Sequence, residues 1–170
     1  MIFDHSRCGA IKLGPEALDT MRGYRQHAPD AMEAGGLLLG RYISNGHDIV
    51  VDRVTVPQPG DRRSRLGFFR RAEGHQPLLD TAWATSGGTC VFLGDWHTHP
   101  EPVPTPSSID LDNWRRMLRE DVREHEACFF AIVGTIEIRV WEGDHKTGKI
   151  LLCDLRIPVA TPPAASTRRL

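Results

Sequence analysis

The sequence predicts an α/β fold in which a central mixed or antiparallel sheet is flanked by about three helices. Three observations predict it. Short apolar or β-branched runs recur between Gly, Pro and Asn turn residues, three other segments carry apolar residues at helical spacing, and both kinds fit within 170 residues, close to one typical domain of about 100 to 200 residues.

Taken in order, the first element is a short strand over residues 9–13. Gly14 and Pro15 open a helix, since proline suits the first helical position; Leu18, Met21 and Tyr24 recur at helical spacing and His27-Ala28-Pro29-Asp30 ends it. Residues 37–43 and 49–56 read as strands joined through Asn45-Gly46, a hairpin signal. Residues 57–61 break that pattern. Arg62, Arg63, Arg65, Arg70 and Arg71 then surround Leu66, Phe68 and Phe69, which reads as a solvated loop or edge strand, with a partner-docking surface as the sharper alternative. A helix over residues 76–84 leads to the Ser86-Gly87-Gly88 turn and a buried strand over residues 89–93. Ser107 is a natural N-cap for a helix reaching about His125. Residues 128–133, 136–141 and 150–157 read as strands, with Gly134-Thr135 and residues 142–149 as turns. Residues 1–157 are thus expected to form one domain, and residues 158–170, which lack a buried pattern, a flexible C-terminal tail.

The formal net charge of −1 gives no basic surplus of the kind that binds nucleic acid. No apolar run approaches the roughly 20 residues of a membrane span, and the first seven residues hold no signal-peptide core, so a cytoplasmic protein is expected. Cys8, Cys90, Cys128 and Cys153 show no C-x-x-C spacing and read as reduced core residues. A Cys90 nucleophile served by nearby His97 is the minor alternative, because a cysteine inside an apolar strand is usually inert packing.

The chemistry concentrates in Trp96-His97-Thr98-His99-Pro100 and Ser107-Ser108-Ile109-Asp110. One residue separates His97 from His99, so at a strand end both rings project from one face. The Ser107 cap puts Asp110 in the first helical turn on the same side, where its carboxylate completes a three-donor set. Two histidines and one carboxylate, with a water in the fourth tetrahedral position, is the pattern of a catalytic zinc rather than a closed structural one. Hydrolysis there also needs a general base, and Glu33 is an acidic residue leading into the apolar run of residues 34–40.

Each of these residues also has an ordinary explanation. Ser-x-x-Asp caps helices without catalysis, the histidines can end an exposed strand, and Glu33 can occupy a surface turn; their coincidence favours a metal site. Asp95 and Glu101 flank the pair as candidates for fixing imidazole orientation, or as solvated side chains. Pro102, Pro104 and Pro106 predict a stiff, extended connection from His99 to Ser107. His5, His27, His47, His75, His125 and His145 carry no motif and are expected in loops or at helix ends.

A distant Glu, then His-x-His-Pro, then Ser-x-x-Asp resembles the JAMM or MPN metallopeptidases, also called JAB domains. The resemblance implies the JAB/MPN architecture, which is cytidine-deaminase-like. It also implies one Zn2+ with a bound catalytic water, His97, His99 and Asp110 as metal ligands, Glu33 as general base and Ser107 as the residue that helps stabilise the oxyanion. The run from Gly94 to Glu101, the alternating prolines and Trp114 further resemble a small bacterial branch associated with integrative elements, the deconjugating peptidases of CBASS anti-phage operons. That branch implies a protein substrate with an extended C-terminal tail. The tail belongs to a ubiquitin-like modifier or a cGAS-like nucleotidyltransferase that an E1-E2-like ligase has conjugated, and it is expected to lie beside a strand near residues 33–43. Three other readings stay open: a peptidase that processes a sulfur-carrier or other ubiquitin-like precursor, a hydrolase of low-molecular-weight amides, and a non-catalytic MPN scaffold. The complete donor set argues against the last.

Overall fold

The strand that bears the histidine motif, β7 (Val91–Thr98), lies in the interior of a nine-stranded sheet. The computed structural model describes residues 1–43, 47–120 and 127–157. On one side β7 runs antiparallel to β3 (Gly35–Tyr42), and on the other parallel to β8 (Ala127–Val133). Both neighbours are almost continuously apolar, as strands covered on two faces must be. Beyond β3 the sheet continues through β4 (Ile49–Val54), β2 (Gly9–Leu13) and β1 (Ile2–His5); beyond β8 it continues through β9 (Ile138–Asp144).

Alternation along these strands divides the core in two. Leu38, Leu93, Trp96, Phe129 and Ala131 pack with Leu18 and Met21 of α1 (Pro15–Gly23). Leu37, Leu39, Phe92, Phe130 and Ile132 pack with Ala82 of α2 (Ala72–Thr85) and with Trp114 and Leu118 of α3 (Ser108–Glu120). The result is the expected mixed sheet between helices, three of them among the described residues. Gly94 shows how tightly the central strands approach: its φ is +149°, and a Cβ there would fall 1.7 Å from the Phe129 carbonyl oxygen.

The two outermost strands, β10 (Ile150–Leu152) and β11 (Asp154–Leu155), are consecutive in the chain with only Cys153 between them. One pairs with β9 and the other with β1, so this segment joins the two ends of the sheet. Residues 142–149 read as a turn, yet β9 continues to Asp144, because Glu142 is buried and satisfied by the Ser6 N–H, the Ser6 hydroxyl and Arg7 from the end of β1. The strand expected over 150–157 divides at Cys153, whose N–H donates to the Val140 carbonyl at 2.8 Å.

Other boundaries also shift. β1 had no counterpart in the sequence reading, α1 stops at Gly23 rather than near residues 27–30, and α2 begins one turn earlier than residue 76. The arginine-rich segment is a separate hairpin of β5 (Arg62–Ser64) and β6 (Gly67–Phe69). Cys90, Cys128 and Cys153 are buried as expected, whereas Cys8 is exposed in a turn at φ +59° rather than in the core. The Asn45-Gly46 turn, the helix end near His125 and the tail over residues 158–170 lie outside the described residues. Among the described residues no helix is long and apolar enough to cross a membrane.

Candidate metal centre

Three segments converge at the C-terminal end of β7. Because β3 and β7 are antiparallel neighbours with Gly35 opposite His97, Glu33 arrives beside the histidines just before β3 begins. Thr98, on the opposite face from the two imidazoles, completes the join. Its N–H donates to the Ala34 carbonyl at 2.8 Å, its Oγ1 accepts the Ala34 N–H at 3.0 Å, and its hydroxyl donates to Gln26 Oε1 at 3.1 Å. The residue between the histidines thus ties them to the segment that bears Glu33.

Beyond β7 the His99 N–H donates to the Val133 carbonyl at 3.0 Å, which carries the strand's alignment past its formal end. The proline-rich connection is pinned to the β8–β9 turn by the Thr135 N–H on the Glu101 carbonyl and the Glu137 N–H on the Pro102 carbonyl. It delivers Ser107 as the cap of α3. The Asp110 N–H donates to Ser107 Oγ at 3.2 Å while the Ser107 N–H donates back to Asp110 Oδ2 at 2.7 Å, a reciprocal capping box.

His97 Nε2 and His99 Nε2 are 3.1 Å apart. Asp110 Oδ1 lies 3.2 Å from the first and Oδ2 3.3 Å from the second; Glu33 Oε1 lies 4.0 Å from His99 Nε2. His97, His99 and Asp110 form a cluster that could hold a metal ion. The chemistry of the donors fits one: two imidazole nitrogens facing each other share at most one proton, whereas metal–donor bonds of about 2.0 to 2.2 Å set tetrahedral edges of about 3.3 to 3.6 Å. Both histidines and Glu33 are buried, while Ser107 is exposed at the rim.

Burial pushes the Glu33 carboxyl up to about 7, with His99 opposing and Asp110 and Glu101 adding to the rise. Burial acts upward on Asp110 as well, but hydrogen bonds with His97 and His99 outweigh it and hold that carboxyl far below the usual carboxylate range. For His99 burial disfavours the protonated ring, yet Asp110 and Glu33 raise its affinity for a proton above the ordinary value. The cluster therefore draws positive charge between its donors.

Around this centre the flanking acids are engaged elsewhere: Asp95 accepts from Arg70 at 3.2 Å and Glu101 accepts the Thr105 N–H at 3.1 Å. Trp114 stacks on Phe130 and stands 6.3 Å from the His97 ring, which makes one wall apolar. A groove lined by Phe68, Phe69, Arg70, His97, Asp110 and Asn113 opens beside it. Cys90 is seven residues before His97, about 23 Å away at strand rise, and burial raises its thiol pKa, so the cysteine alternative has no geometry. Sequence pattern gives no sign that His75, in the first turn of α2, sits fully buried between Thr55 and Asp61. His5, expected in a loop or at a helix end, instead ends strand β1 and is also buried.

Residues 16–144 match the family described as prokaryotic homologs of the JAB domain. The chain is 41% identical over 124 residues to a CD-NTase/cGAS isopeptidase of Pseudomonas aeruginosa, covering 73% of this chain and 77% of the relative. It is 36% identical over 131 residues to one of Vibrio cholerae, covering 77% and 80%. Among solved structures it is similar in fold to a protein of Desulfitobacterium hafniense, with a TM-score of 0.59 at 21% identity, covering 87% of this chain and 92% of the other.

Proposed function

We propose that this chain, which belongs to the family of prokaryotic homologs of the JAB domain, is a zinc-dependent isopeptidase that releases a conjugated nucleotidyltransferase of the CD-NTase/cGAS class from its target. One observation carries the chemistry: Glu33, a buried carboxyl that burial pushes up to about 7, stands 4.0 Å from a histidine of a three-donor cluster. A general base works best when its pKa lies near the operating pH. The relatives named as CD-NTase/cGAS isopeptidases support the substrate class.

His97, His99 and Asp110 would hold the zinc, which when bound supplies a Lewis acid and lowers the pKa of its water. Glu33 takes the proton of the attacking water and returns it to the departing amine, so one carboxyl serves both steps. Ser107, whose hydroxyl lies 2.6 Å from Asp110 Oδ2, turns that hydroxyl to the oxyanion as the carbonyl becomes tetrahedral. Trp114 and Phe130 keep bulk water off the His97 side. The substrate tail enters extended; the sheet edge expected for it near residues 33–43 is absent, because β3 is paired with β7 on one side and with β4 on the other, so its backbone must pair elsewhere. An E1-E2-like ligase is the activity that makes the bond this enzyme breaks.

The test replaces the gene by Glu33→Gln in its host and identifies accumulating conjugates by mass spectrometry. The expected result is a CD-NTase C-terminus on target amines, absent when wild type is restored. No conjugate in those cells, together with zinc-loaded wild-type protein that leaves a CD-NTase carrying a C-terminal fluorescent protein intact, overturns the proposal.

A further inference from the structure

Glu33 is held by its backbone, and what holds it is the arginine-rich hairpin. The Glu33 N–H donates to the Ser64 carbonyl at 2.7 Å. The Arg63 guanidinium donates through Nε to the Glu33 carbonyl at 2.6 Å and through Nη2 to the Met32 carbonyl at 3.3 Å. The ring of Phe68 lies so close to Gly35 that a Cβ on that glycine would fall 2.5 Å from it. The residue bearing the raised carboxyl is therefore seated on β5 and β6, although its side chain faces the histidines.

The hairpin is itself locked at its neck. Asp61 stands just before β5 and Arg71 just after β6; Asp61 Oδ1 accepts the Arg71 N–H at 2.8 Å, and Oδ2 accepts the Gln58 N–H at 2.7 Å. The same Oδ2 is 3.0 Å from Nε2 of buried His75, whose Nδ1 is 2.6 Å from Thr55 Oγ1. Thr55 Oγ1 accepts the Leu37 N–H at 2.8 Å, and the Thr55 carbonyl accepts the Trp96 indole N–H at 2.9 Å. In the Nε2–H tautomer of His75 each proton in this run has one donor and one acceptor: Nε2–H to Asp61 and the Thr55 hydroxyl to Nδ1. A buried, satisfied network of this kind fixes one arrangement, and this one spans the hairpin neck, α2, β3 and β7.

We propose that the β5–β6 hairpin is a positioning device for Glu33, with Arg63 and Asp61 as its positioning residues: Arg63 grips the backbone of Met32 and Glu33, and Asp61 locks the neck onto His75. Neither touches the reacting atoms. The proposal rests on Glu33 as proton carrier, so its test has one arm that needs no activity.

That arm is amide hydrogen exchange on the zinc-loaded protein. In Arg63→Met the Glu33 amide loses protection while the amides of β8 keep theirs, and Asp61→Asn does the same to a lesser degree. The kinetic arm uses the CD-NTase fusion. In Arg63→Met kcat falls by about tenfold to a hundredfold, the scale of a misplacement of about 1 Å, with KM within about twofold and zinc content unchanged; Arg63→Lys, which keeps one donor, falls between. Unchanged protection of Glu33 in both variants overturns the proposal, as does a raised KM with kcat intact, which would make the hairpin a substrate contact. Should Arg63→Met not fold, Asp61→Asn carries both arms. A wild type that cleaves nothing defeats the isopeptidase reading and leaves the exchange result to decide the clamp.

Discussion

The stretch from β7 to the first turn of α3 and the β5–β6 hairpin serve the same cluster through different atoms. The first contributes side chains: His97, His99 and Asp110 meet within 3.1 to 3.3 Å because strand alternation and a helix cap aim them at one point. The second contributes to Glu33 by gripping its main chain from Ser64 and Arg63. Loss of a side-chain donor removes chemistry outright, whereas loss of a backbone grip leaves every reacting group present and only loosens its place. The two regions should therefore fail in different ways.

The largest failure is expected on the side-chain side. His97→Ala should leave the folded protein unable to hold the proposed zinc and cleavage undetectable, a larger loss than the 10- to 100-fold in affinity typical when an outer partner of a metal ligand is removed. Metal analysis of the purified variant checks this, and full zinc occupancy would break the contrast at its root. Ser107→Ala should be milder and split differently: zinc retained, kcat lower by about 10²- to 10³-fold if the hydroxyl meets the oxyanion, and stability lower by about 1 kcal/mol because the α3 cap is lost. A loss of stability without a loss of rate would return Ser107 to the capping role alone.

The same contrast governs how much was legible in the sequence. The His-x-His spacing, the N-cap and the apolar runs all act over one or two turns or along one strand, so pattern alone placed β7, α3 and the meeting of His97, His99 and Asp110. The hairpin's part was not legible, since Arg63 bonds to carbonyls some thirty residues away and any residue type supplies a carbonyl. His75 was missed for a related reason: its partners Thr55 and Asp61 come from different elements, and nothing local marks a histidine as buried. β1 and the split between β10 and β11 depend on the two sheet edges meeting, which no single segment encodes.

A smaller effect sharpens the seating of Glu33 without changing any polar group. Gly35→Ala would place a Cβ 2.5 Å from both the Phe68 ring and the Trp96 carbonyl oxygen, an overpacking expected to cost about 1 to 3 kcal/mol. Adding Phe68→Leu should recover only part of that, because the Trp96 oxygen belongs to a central strand that cannot retreat. Full recovery in urea unfolding would mean that the ring alone limits the site and that β3 can move off β7.

The smallest effect concerns the hairpin neck and is read by pH. Burial alone would raise the Asp61 carboxyl, but hydrogen bonds from the Gln58 and Arg71 amides and from His75 outweigh it, so its pKa in the folded protein lies below the ordinary value. A carboxyl depressed on folding contributes stability above its unfolded-state pKa, near 3.9 for aspartate, and that contribution is lost as pH falls through the lower folded value. Asp61→Asn keeps the shape and removes the charge. The stability gap between wild type and Asp61→Asn should therefore be widest above about pH 4 and narrow below it, while every other depressed carboxyl, being common to both proteins, cancels from the difference. Urea unfolding of the pair between pH 6 and pH 3 measures this. A gap that stays constant across that range would mean that the neck is held by shape and not by charge, and would leave Arg63 as the hairpin's only polar hold on Glu33 that responds to substitution.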